Sequence, residues 1–453
     1  MKPVRSSALL ALGLLYAAHD PGNTSPGPPP TGTSTTLSNS VHVPPTAPAL
    51  QSIVRLRTAL ALGQELQLQP IAVQFTNSNN KSYYADSAVT VVDHSDARLH
   101  WLGGRFADGT TYPASLARFG QAVTNGDITN LNSFGLPRDR SGINNGVEFT
   151  LPPNQTEFEL VLMDVGAPVP MIMLVDGKLT NVGGYNLENA NTGGTKYSRI
   201  VLPSSLSART VTLNFGARPF IGLRFPANET VGTLPQSPAP ATVVFIGDSI
   251  TEGAVSSSPD RSWLMQAAFR LGISDPVVSG QGGSGYLARR PQNGGYDFRE
   301  RLSDATESKN IVSTSAAFAG GAPDAIVIAG GINDCGVAPG GPYTIDQVGT
   351  EALAYFKALR AAAPQTLIFV LGPFTDYNNA SYSATSFACR DAIFAAAKKI
   401  SYTYTIDVSD WVTTANRDRV FNGNTYGPHP IDAGHYIYGQ RAADAIRAIL
   451  NRI

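Results

Sequence analysis

The sequence has few charged residues, and it contains no long hydrophobic segment. Charged residues make up 15% of its 453 positions, against about 25% in an average domain, which argues against coiled coils and helical solenoids. The 33 Lys and Arg residues balance 34 Asp and Glu residues, so no net charge favours nucleic acid or an anionic membrane. The longest apolar run, 8–18, is shorter than the ~20 residues of a membrane-spanning helix. We therefore predict a soluble globular protein without a membrane span or a nucleic-acid partner.

Cysteine is also scarce. The only two, Cys335 and Cys389, are too few for a disulfide framework or a cysteine-rich zinc site. A single bridge between them is compatible with an exported protein, and two unpaired buried thiols are equally compatible with the sequence. The sequence therefore leaves both alternatives open.

The N-terminus has the pattern of a secretory signal. Lys2 and Arg5 precede the apolar run ALLALGLLYAA, which predicts a signal peptide over 1–18, although Tyr16 makes a poor cleavage site. The following segment, 19–48, is rich in Pro, Thr, Ser and Gly, cannot bury a core, and is predicted to be a linker. Together these segments predict a secreted or periplasmic protein.

From 49 to 228 the pattern is typical of antiparallel sheet. The segments 147–151 and 158–162 alternate apolar and other residues on either side of a turn signal. Further short strand-like runs occupy 171–175, 198–202, 211–215 and 220–225, whereas the Gly- and Asn-rich segment 102–145 is predicted to form long loops. We predict an all-β sandwich, jelly-roll-like in topology, followed by a second linker over 229–240.

From 241 to 453 strands alternate with helices. Strands are predicted at 241–246, 276–279, 325–329, 366–371 and 403–408, and helices at 262–271, 345–363, 384–399 and 432–450. Because the strands are apolar throughout, we expect a parallel sheet covered by helices on both faces. In such sheets the functional residues lie beyond the carboxyl ends of the strands.

Four motifs lie at such positions. The segment 247–253 (GDSITEG) follows the first strand, and its Ser can present a hydroxyl from a tight turn. The Gly-rich segment 279–285 (SGQGGSG) follows the second strand and allows close approach to backbone N–H groups. The segment 330–334 (GGIND) supplies an Asn amide, and 427–435 (GPHPIDAGH) supplies histidine. Nucleophile, oxyanion donors and base are the components of acyl transfer.

These four motifs, in this order, resemble the sequence blocks of SGNH (GDSL-type) hydrolases, and the resemblance covers roughly 241–453. The family implies a flavodoxin-like three-layer α/β/α domain that hydrolyses esters without a metal or a cofactor. It implies that Ser249 is the nucleophile. The oxyanion hole would consist of the N–H groups of Ser249 and Gly283 and the side chain of Asn333. The Asn that usually precedes the glycines of the second block is absent here, which weakens the assignment of Gly283.

Two histidines compete for the role of base. The family's last block, Asp-x-x-His, is matched by Asp432 and His435, whereas its usual His-Pro is matched by His429 and Pro430. Asp432 occupies an N-cap position of the last helix, and His435 lies on the apolar face of that helix, as packed histidines do. We therefore predict that His429 is the base and keep His435 as the alternative.

The third member of the triad is left open by this choice. Tyr426 occupies the position three residues before His429 at which the family has an Asp. Asp432 can take that role, a main-chain carbonyl can accept the imidazole proton, or the enzyme can work as a Ser–His dyad. Asp248 is predicted to support the serine turn through backbone hydrogen bonds.

The motifs and the domain order predict a serine esterase that removes acetyl or other short acyl groups through an acyl-enzyme. A β-sandwich joined to this type of hydrolase domain is similar to modular carbohydrate esterases, so an acylated polysaccharide is the predicted substrate and a small ester the alternative. The alternative functions are a lipase, arylesterase or thioesterase of the same fold, and an inactive carbohydrate-binding protein.

A nucleotide cofactor is disfavoured. The spacing Gly280-x-Gly282-x-x-Gly285 matches a dinucleotide-binding pattern, but it follows the second strand of its domain. Pro291 and the glycines after it interrupt any helix whose N-terminus could bind a pyrophosphate.

Overall fold

The computed structural model describes eighteen segments of the chain, which lie within one compact unit, Thr35–Ile453. The predicted signal peptide, most of the first linker and Tyr426 lie outside the described residues. The described residues are 47–63, 65, 67–69, 71–85, 88–94, 96–102, 107–108, 118–119, 146–163, 170–187, 195–215, 220–234, 241–289, 297–303, 322–336, 343–375, 382–422 and 428–453.

The described strands of the first half form two antiparallel sheets. One has the order β1-β10-β7-β12-β5-β4 with β2 also paired to β12, and the other has the order β3-β6-β11-β8-β9. The strands are β1 Gln74–Asn79, β2 Val89–Asp93, β3 His100–Leu102, β4 Ala107–Asp108, β5 Arg118–Phe119, β6 Gly146–Leu151, β7 Glu157–Met163, β8 Ile172–Val175, β9 Lys178–Leu179, β10 Thr195–Val201, β11 Arg209–Asn214 and β12 Phe220–Pro226. Most of the predicted loop segment 102–145 lies outside the described residues.

Side chains of the two antiparallel sheets meet in one hydrophobic core. Phe149 and Leu213 of one sheet and Phe158 and Leu223 of the other are fully buried in it. The rings of Phe149 and Phe158 contact edge to face, with centroids 5.2 Å apart. In β10, and in most of β11, buried and less buried residues alternate, so the period-2 pattern turns one face of these strands inward.

The structure differs from the sequence analysis at the start of this region. Ala47–Leu62, assigned above to a linker and to the β region, forms helix α1. Its buried residues Ala49, Ile53, Leu56 and Ala59 pack against the core of the C-terminal half. Their spacing of three and four is that of one helix face, and this is the signal that the sequence analysis missed.

The predicted second linker also differs from expectation in its first part. Val231 is buried in the core of the antiparallel sheets. The N–H of Gly232 donates to the carbonyl of Thr150 at 2.8 Å, and Arg98 donates to the carbonyl of Val231 at 2.8 Å. Residues 229–234 therefore pack on the β region, and residues 235–240 lie outside the described residues.

The second half is an α/β domain, as predicted. Its parallel strands have the order β14-β13-β15-β16-β17, which is the flavodoxin-like order 2-1-3-4-5. The strands are β13 Val243–Gly247, β14 Val277–Gly280, β15 Ala325–Ala329, β16 Leu367–Leu371 and β17 Thr403–Ile406. The helices are α2 Trp263–Arg270, α3 Phe298–Ser303, α4 Ile332–Cys335, α5 Ile345–Ala362, α6 Ala384–Ala397, α7 Arg417–Phe421 and α8 Asp432–Leu450.

Helices cover both faces of the parallel sheet. Val243 and Phe245 point to one face, where they pack with α1, α2 and α8. Val244 and Ile246 point to the other face, where they pack with α5 and α6. The strands are buried on both sides, which explains why they are apolar throughout and confirms the predicted α/β architecture. Among the described helices, none combines the length and the apolar character needed to cross a membrane.

The strand register aligns the motifs at one edge of the sheet. Gly247 at the end of β13 pairs with Gly280 of β14 and with Ala329 of β15. The strand order reverses at β13, and the crevice beyond such a reversal is where open α/β sheets bind ligands. The first three motifs therefore leave the sheet side by side at this crevice.

Candidate active site

Ser249 and His429 are in hydrogen-bond contact. The distance between His429 Nε2 and Ser249 Oγ is 2.7 Å, although the two residues are 180 positions apart. Ser249 is partly exposed between the buried residues Asp248 and Ile250, and His429 is 9% exposed. This is the distance at which an imidazole can take the proton of a serine hydroxyl.

Backbone hydrogen bonds hold the turn that carries Ser249. The Asp248 carboxylate accepts the N–H of Ile250 at 2.9 Å, which confirms the predicted role of Asp248. The Asp248 carbonyl accepts the N–H of Glu252 at 2.8 Å, and the Ser249 carbonyl accepts the N–H of Ala254 at 2.9 Å. The turn thus fixes the direction in which Ser249 leaves the sheet.

The Gly-rich turn after β14 lies directly against the serine turn. The N–H of Gln281 donates to the carbonyl of Gly247 at 3.1 Å. The N–H of Gly282 donates to the carboxylate of Glu252 at 2.7 Å. A Cβ on Gly280 would lie 2.4 Å from the Glu252 nitrogen, so the two turns approach too closely for any side chain there. Glycine at this position is therefore required by the contact between the turns.

Gly283 is the exposed point of this turn. It has φ +76°, a backbone conformation that favours glycine. Its neighbours Gly282 and Ser284 are buried, whereas Gly283 itself is partly exposed. Within the described residues, neither the N–H of Gly283 nor the N–H of Ser249 donates to a protein acceptor. These two backbone amides are the ones expected to bind an oxyanion.

Asn333 is held beside the Gly-rich turn by helix α4. Its side-chain amide donates to the carbonyl of Ser284 at 2.9 Å, and the residue is 8% exposed. An amide group carries two N–H bonds, so one remains for a second acceptor. The structure therefore brings the third predicted donor to the same turn as Gly283.

Asp334 fixes the far end of the same turn. Its buried carboxylate accepts the three successive backbone N–H groups of 286–288, at 3.0, 2.7 and 2.8 Å. Burial raises the pKa of Asp334, although the three hydrogen bonds act in the opposite direction. A Cβ on Gly285 would lie 2.2 Å from this carboxylate, which explains the glycine there. Adjacent residues of α4 thus bind the turn at two places.

A disulfide joins the end of α4 to α6. Cys335 and Cys389 are bonded, so of the two alternatives left open by the sequence the bridge is the one found. At the start of α4, Gly331 has φ +110°, and a Cβ there would lie 2.8 Å from the Ile393 side chain. The helix that carries Asn333 is thus fixed at both ends.

His435 lies in a different environment from His429. It is fully buried, accepts the N–H of Trp263 at Nδ1 (3.2 Å) and donates from Nε2 to the carbonyl of Ala254 (3.1 Å). Burial lowers the pKa of His435 to about 4. Both hydrogen bonds suit the neutral imidazole. The structure does not bring this histidine into hydrogen-bond contact with Ser249.

Asp432 also makes its contacts away from Ser249. Its carboxylate accepts hydrogen bonds from the N–H and the hydroxyl of Ser257 (2.7 and 2.6 Å) and from Arg261 (2.6 Å). Among the described residues, these are the hydrogen bonds of Asp432, and none of them involves His429. The described contacts of Asp432 thus do not include the imidazole that a triad carboxylate would orient.

Three side chains of this region are not among the predicted site residues. Glu252 lies in the serine motif itself, three residues after Ser249, and that closeness is a signal that could have identified it. Ser257 and Arg261 belong to a segment without a motif, and they become visible only through their contact with Asp432. Within the described chain, no group of three or more His, Cys, Asp or Glu side chains could hold a metal ion.

Comparison with known protein families identifies the α/β domain. Residues 245–437 match the GDSL-like lipase/acylhydrolase family. The α/β domain belongs to this SGNH hydrolase family. The matched segment of the GDSL-type domain begins in β13 and ends in the second turn of α8, so it contains Ser249, Gly283, Asn333 and both candidate bases. A comparison with curated proteins finds no match.

Solved structures extend the likeness beyond the GDSL-type domain. The salicylyl-acyltransferase SsfX3 from a tetracycline biosynthetic pathway is 16% identical, has a TM-score of 0.60, and aligns with 81% of this chain and 98% of its own. A family two carbohydrate esterase from Clostridium thermocellum, in complex with cellohexaose, is 16% identical (TM-score 0.47; 78% and 100% covered). An acetyl xylan esterase from Butyrivibrio proteoclasticus is 13% identical (TM-score 0.47; 83% and 99% covered). At these identities the likeness to SsfX3 shows a shared fold.

Proposed function

We propose that the protein is a serine ester hydrolase in which Ser249 is the nucleophile and His429 the general base. The observation that carries this proposal is the 2.7 Å contact between His429 Nε2 and Ser249 Oγ at the edge of the parallel sheet. As Oγ attacks the ester carbonyl carbon, its proton passes to Nε2 and an imidazolium forms. The imidazolium then protonates the leaving alkoxide, and an acyl-enzyme remains.

The N–H groups of Ser249 and Gly283 and the amide of Asn333 bind the oxyanion of the tetrahedral intermediate. The proposal is supported by the two backbone amides, which the described fold does not use, and by the second N–H of the Asn333 amide. Donors fixed before the reaction stabilise charge that develops in the transition state. Water, deprotonated by the same histidine, attacks the acyl-enzyme and releases the acid.

We assign the catalytic unit to the pair Ser249 and His429, without Asp432 as a triad carboxylate. Asp432 is bound by Ser257 and Arg261, and it has no described hydrogen bond to the imidazole. His435 is excluded from the role of base by its two hydrogen bonds and its burial. This assignment leaves Asp432 outside the catalytic unit.

Short acyl groups, acetyl above all, are the proposed substrates. None of the exposed large apolar side chains in the described residues belongs to the segments 247–253, 280–286, 330–334 or 428–431. A long acyl chain would need such a surface next to the nucleophile. A second region of two antiparallel sheets with a shared core, which we take to be a β-sandwich domain, supports a polysaccharide as the carrier by analogy with modular carbohydrate esterases.

An exported protein fits this function. The Cys335–Cys389 bridge supports export, since disulfides persist in oxidising compartments and are rare in the cytosol. We propose that the chain acts outside the cytoplasm, where polysaccharides are accessible.

The test is hydrolysis of p-nitrophenyl acetate by single variants. Ser249→Ala and His429→Ala are each expected to lower kcat/KM by about 10⁴-fold or more, because each removes one half of the nucleophile–base pair. His100→Ala, which changes a histidine of the β region, is the matched control and is expected to leave the rate unchanged. Labelling of Ser249 by an organophosphonate distinguishes an esterase from an inactive relative.

Acyl length and carrier are tested in the same assay. The rate is expected to fall from the acetate to the octanoate ester, and acetate is expected to be released from acetylated xylan. A rate that rises with chain length would contradict the acetylesterase assignment and favour a lipase or a thioesterase. Full activity of His429→Ala would contradict the choice of base.

A further inference from the structure

The first turn of α8 holds the segment that follows the serine turn. Asp432 accepts two hydrogen bonds from Ser257 and one from Arg261, all between 2.6 and 2.7 Å. The side chains of Asp432 and Arg261 are both 28% exposed, so solvent screens their charges only in part. Charge-assisted hydrogen bonds of this length are stronger than neutral ones. One carboxylate thus binds the middle and the end of segment 254–261.

His435, three residues later on the same helix face, binds Ala254 at the start of this segment and Trp263, two residues beyond its end. It accepts the N–H of Trp263 and donates to the carbonyl of Ala254. Residues three apart on a helix lie on the same face. The two side chains of α8 therefore fix residues 254–263 at four places, and we call this set of contacts the α8 clamp.

The α8 clamp connects the nucleophile to the base through short paths. On one side, the N–H of Ala254 donates to the Ser249 carbonyl at 2.9 Å. On the other side, only Pro430 and Ile431 separate Asp432 from His429. Proline fixes its own φ, and the N–H of Ile431 is held by the carbonyl of Val420 at 3.0 Å. A displacement of the helix start would therefore move the imidazole away from the serine hydroxyl.

We propose that Asp432 is a positioning residue that, through Ser257 and Arg261, holds the start of α8 so that His429 stays within hydrogen-bond distance of Ser249. The proposal rests on the proposed function, because it concerns the same pair. The positioning role of Asp432 differs from a triad role, in which its carboxylate would bind the imidazole directly and determine the proton affinity of the imidazole. In the α8 clamp, both partners of the Asp432–Arg261 pair contribute to catalysis.

The experiment disrupts the Asp432–Arg261 pair by substituting each of its two residues in turn. Asp432→Asn and Arg261→Met are each expected to lower kcat about 10-fold, with KM changed by less than about 3-fold, because only the geometry of the pair is disturbed. The double variant is expected to lose little more than either single variant, since both remove one interaction. Arg261→Lys is expected to restore part of kcat, and the pKa of the base in the pH profile is expected to stay unchanged.

A matched control lies on the same helix. Asp444 and Arg447 form an Asp–Arg pair within α8, 2.8 Å apart and exposed. Asp444→Asn removes the same kind of ion pair more than three turns from the site, and it is expected to leave kcat unchanged. This control separates a loss of helix stability from a loss of positioning.

Three results would overturn the proposal. Wild-type kcat in Arg261→Met would show that the pair does not position the base. A loss near 10⁴-fold in Asp432→Asn, with a lowered pKa of the base and no effect of Arg261→Met, would assign a triad role instead. A crystal structure of Arg261→Met with the Nε2–Oγ distance still 2.7 Å would contradict it without reference to activity. A wild-type protein that hydrolyses no ester and does not react with a phosphonate would refute the proposed function, a separate outcome.

Discussion

The two sides of Ser249 are built in different ways. The side on which we propose oxyanion binding, the oxyanion side, consists of turns at the ends of three neighbouring strands, with Gly247, Gly280 and Ala329 paired in register. The base side is a loop that begins far away in the sequence and reaches Ser249 through contacts of α8 with segment 254–263. The hydrogen bonds of that contact join residues 171 to 181 positions apart.

On one side of Ser249 the backbone of the sheet determines where the functional groups lie, and on the other side hydrogen bonds of side chains determine it. On the oxyanion side the sheet register already brings the motifs together, and short contacts from Glu252 and Asp334 refine the turn. On the base side no shared strand edge fixes the distance, so side-chain hydrogen bonds must do so. We therefore expect variants on the oxyanion side to change transition-state binding, and variants on the base side to change the position of a group.

Apart from the nucleophile–base pair itself, the largest effect is expected at Asn333. Asn333→Ala removes the side chain that we propose as a donor to the oxyanion, and loss of one such donor lowers kcat by about 10² to 10³-fold. KM is expected to change little, because the donor acts on charge that exists only in the transition state. Steady-state kinetics with p-nitrophenyl acetate measures both constants.

Asn181→Ala is the matched control for Asn333. Asn181 makes the same kind of contact, from its side-chain amide to the carbonyl of Gly184 at 2.8 Å, but in an exposed turn of the β region. It is expected to leave kcat unchanged. A rise in KM at constant kcat in Asn333→Ala would show that Asn333 binds the substrate and not the oxyanion.

The next effect is expected at His435 and concerns the pH dependence of the free energy of unfolding. Burial lowers the pKa of His435 from its ordinary value of 6.5 to about 4. Between these two values the unfolded chain binds a proton that the folded protein does not bind. The free energy of unfolding therefore falls as pH decreases from 6.5 to 4, by up to about 3 kcal/mol from this residue, and its contribution is complete above 6.5. Urea unfolding of the wild type and of His435→Gln across this range measures the difference.

His100 provides a control of opposite sign. Its interaction with Glu148, with Nδ1 and Oε1 3.6 Å apart, raises the pKa of His100. The stabilisation from His100 is therefore complete at low pH and is lost as pH rises through its folded-state pKa. His100→Gln should lose stability mainly on the acid side. If His435→Gln left the acid-side slope of the wild type unchanged, His435 would not be held neutral in the folded protein.

The fold of the α/β half could be predicted because its signals are local. Strand β15 (325–329) and helix α8 (432–450) have the predicted bounds. An apolar run marks the strand in the sequence, and helical periodicity marks the helix. Helix α1 was not predicted because it follows a linker-like segment. Its apolar face is covered by the α/β domain, which begins only at residue 241. Such tertiary contacts leave only a spacing pattern in the sequence.

For the site, residue types could be predicted better than contacts. The motif around Ser249, the amide of Asn333 and the choice of His429 over His435 follow from strand ends, turns and a helix face. The positions of Asp432 and Arg261 could not be predicted, because an Asp at the start of a helix fits an N-cap as well as a distant ion pair. Only the packing of α8 against segment 254–263 distinguishes the two.

The smallest effect is expected at Glu252, and it tests whether the oxyanion side needs side chains at all. The Glu252 carboxylate accepts the N–H of Gly282, the residue before Gly283, at 2.7 Å. Glu252→Ala is expected to lower kcat about 10-fold with little change in KM, because the amide of Gly283 loses its fixed direction. Glu252→Gln keeps an acceptor oxygen and is expected to retain most of kcat.

Glu65→Ala is the matched control, because this exposed carboxylate also accepts hydrogen bonds, from Arg270 of α2 and Tyr436 of α8, but has no described contact with the Gly-rich turn. It is expected to leave kcat unchanged. If Glu252→Ala had wild-type kcat, the contacts of Gln281, Asn333 and Asp334 would be sufficient to fix the turn. In that case the edge of the sheet and α4 would hold the Gly-rich turn without Glu252. The base side, which depends on side-chain hydrogen bonds, would then differ from it even more.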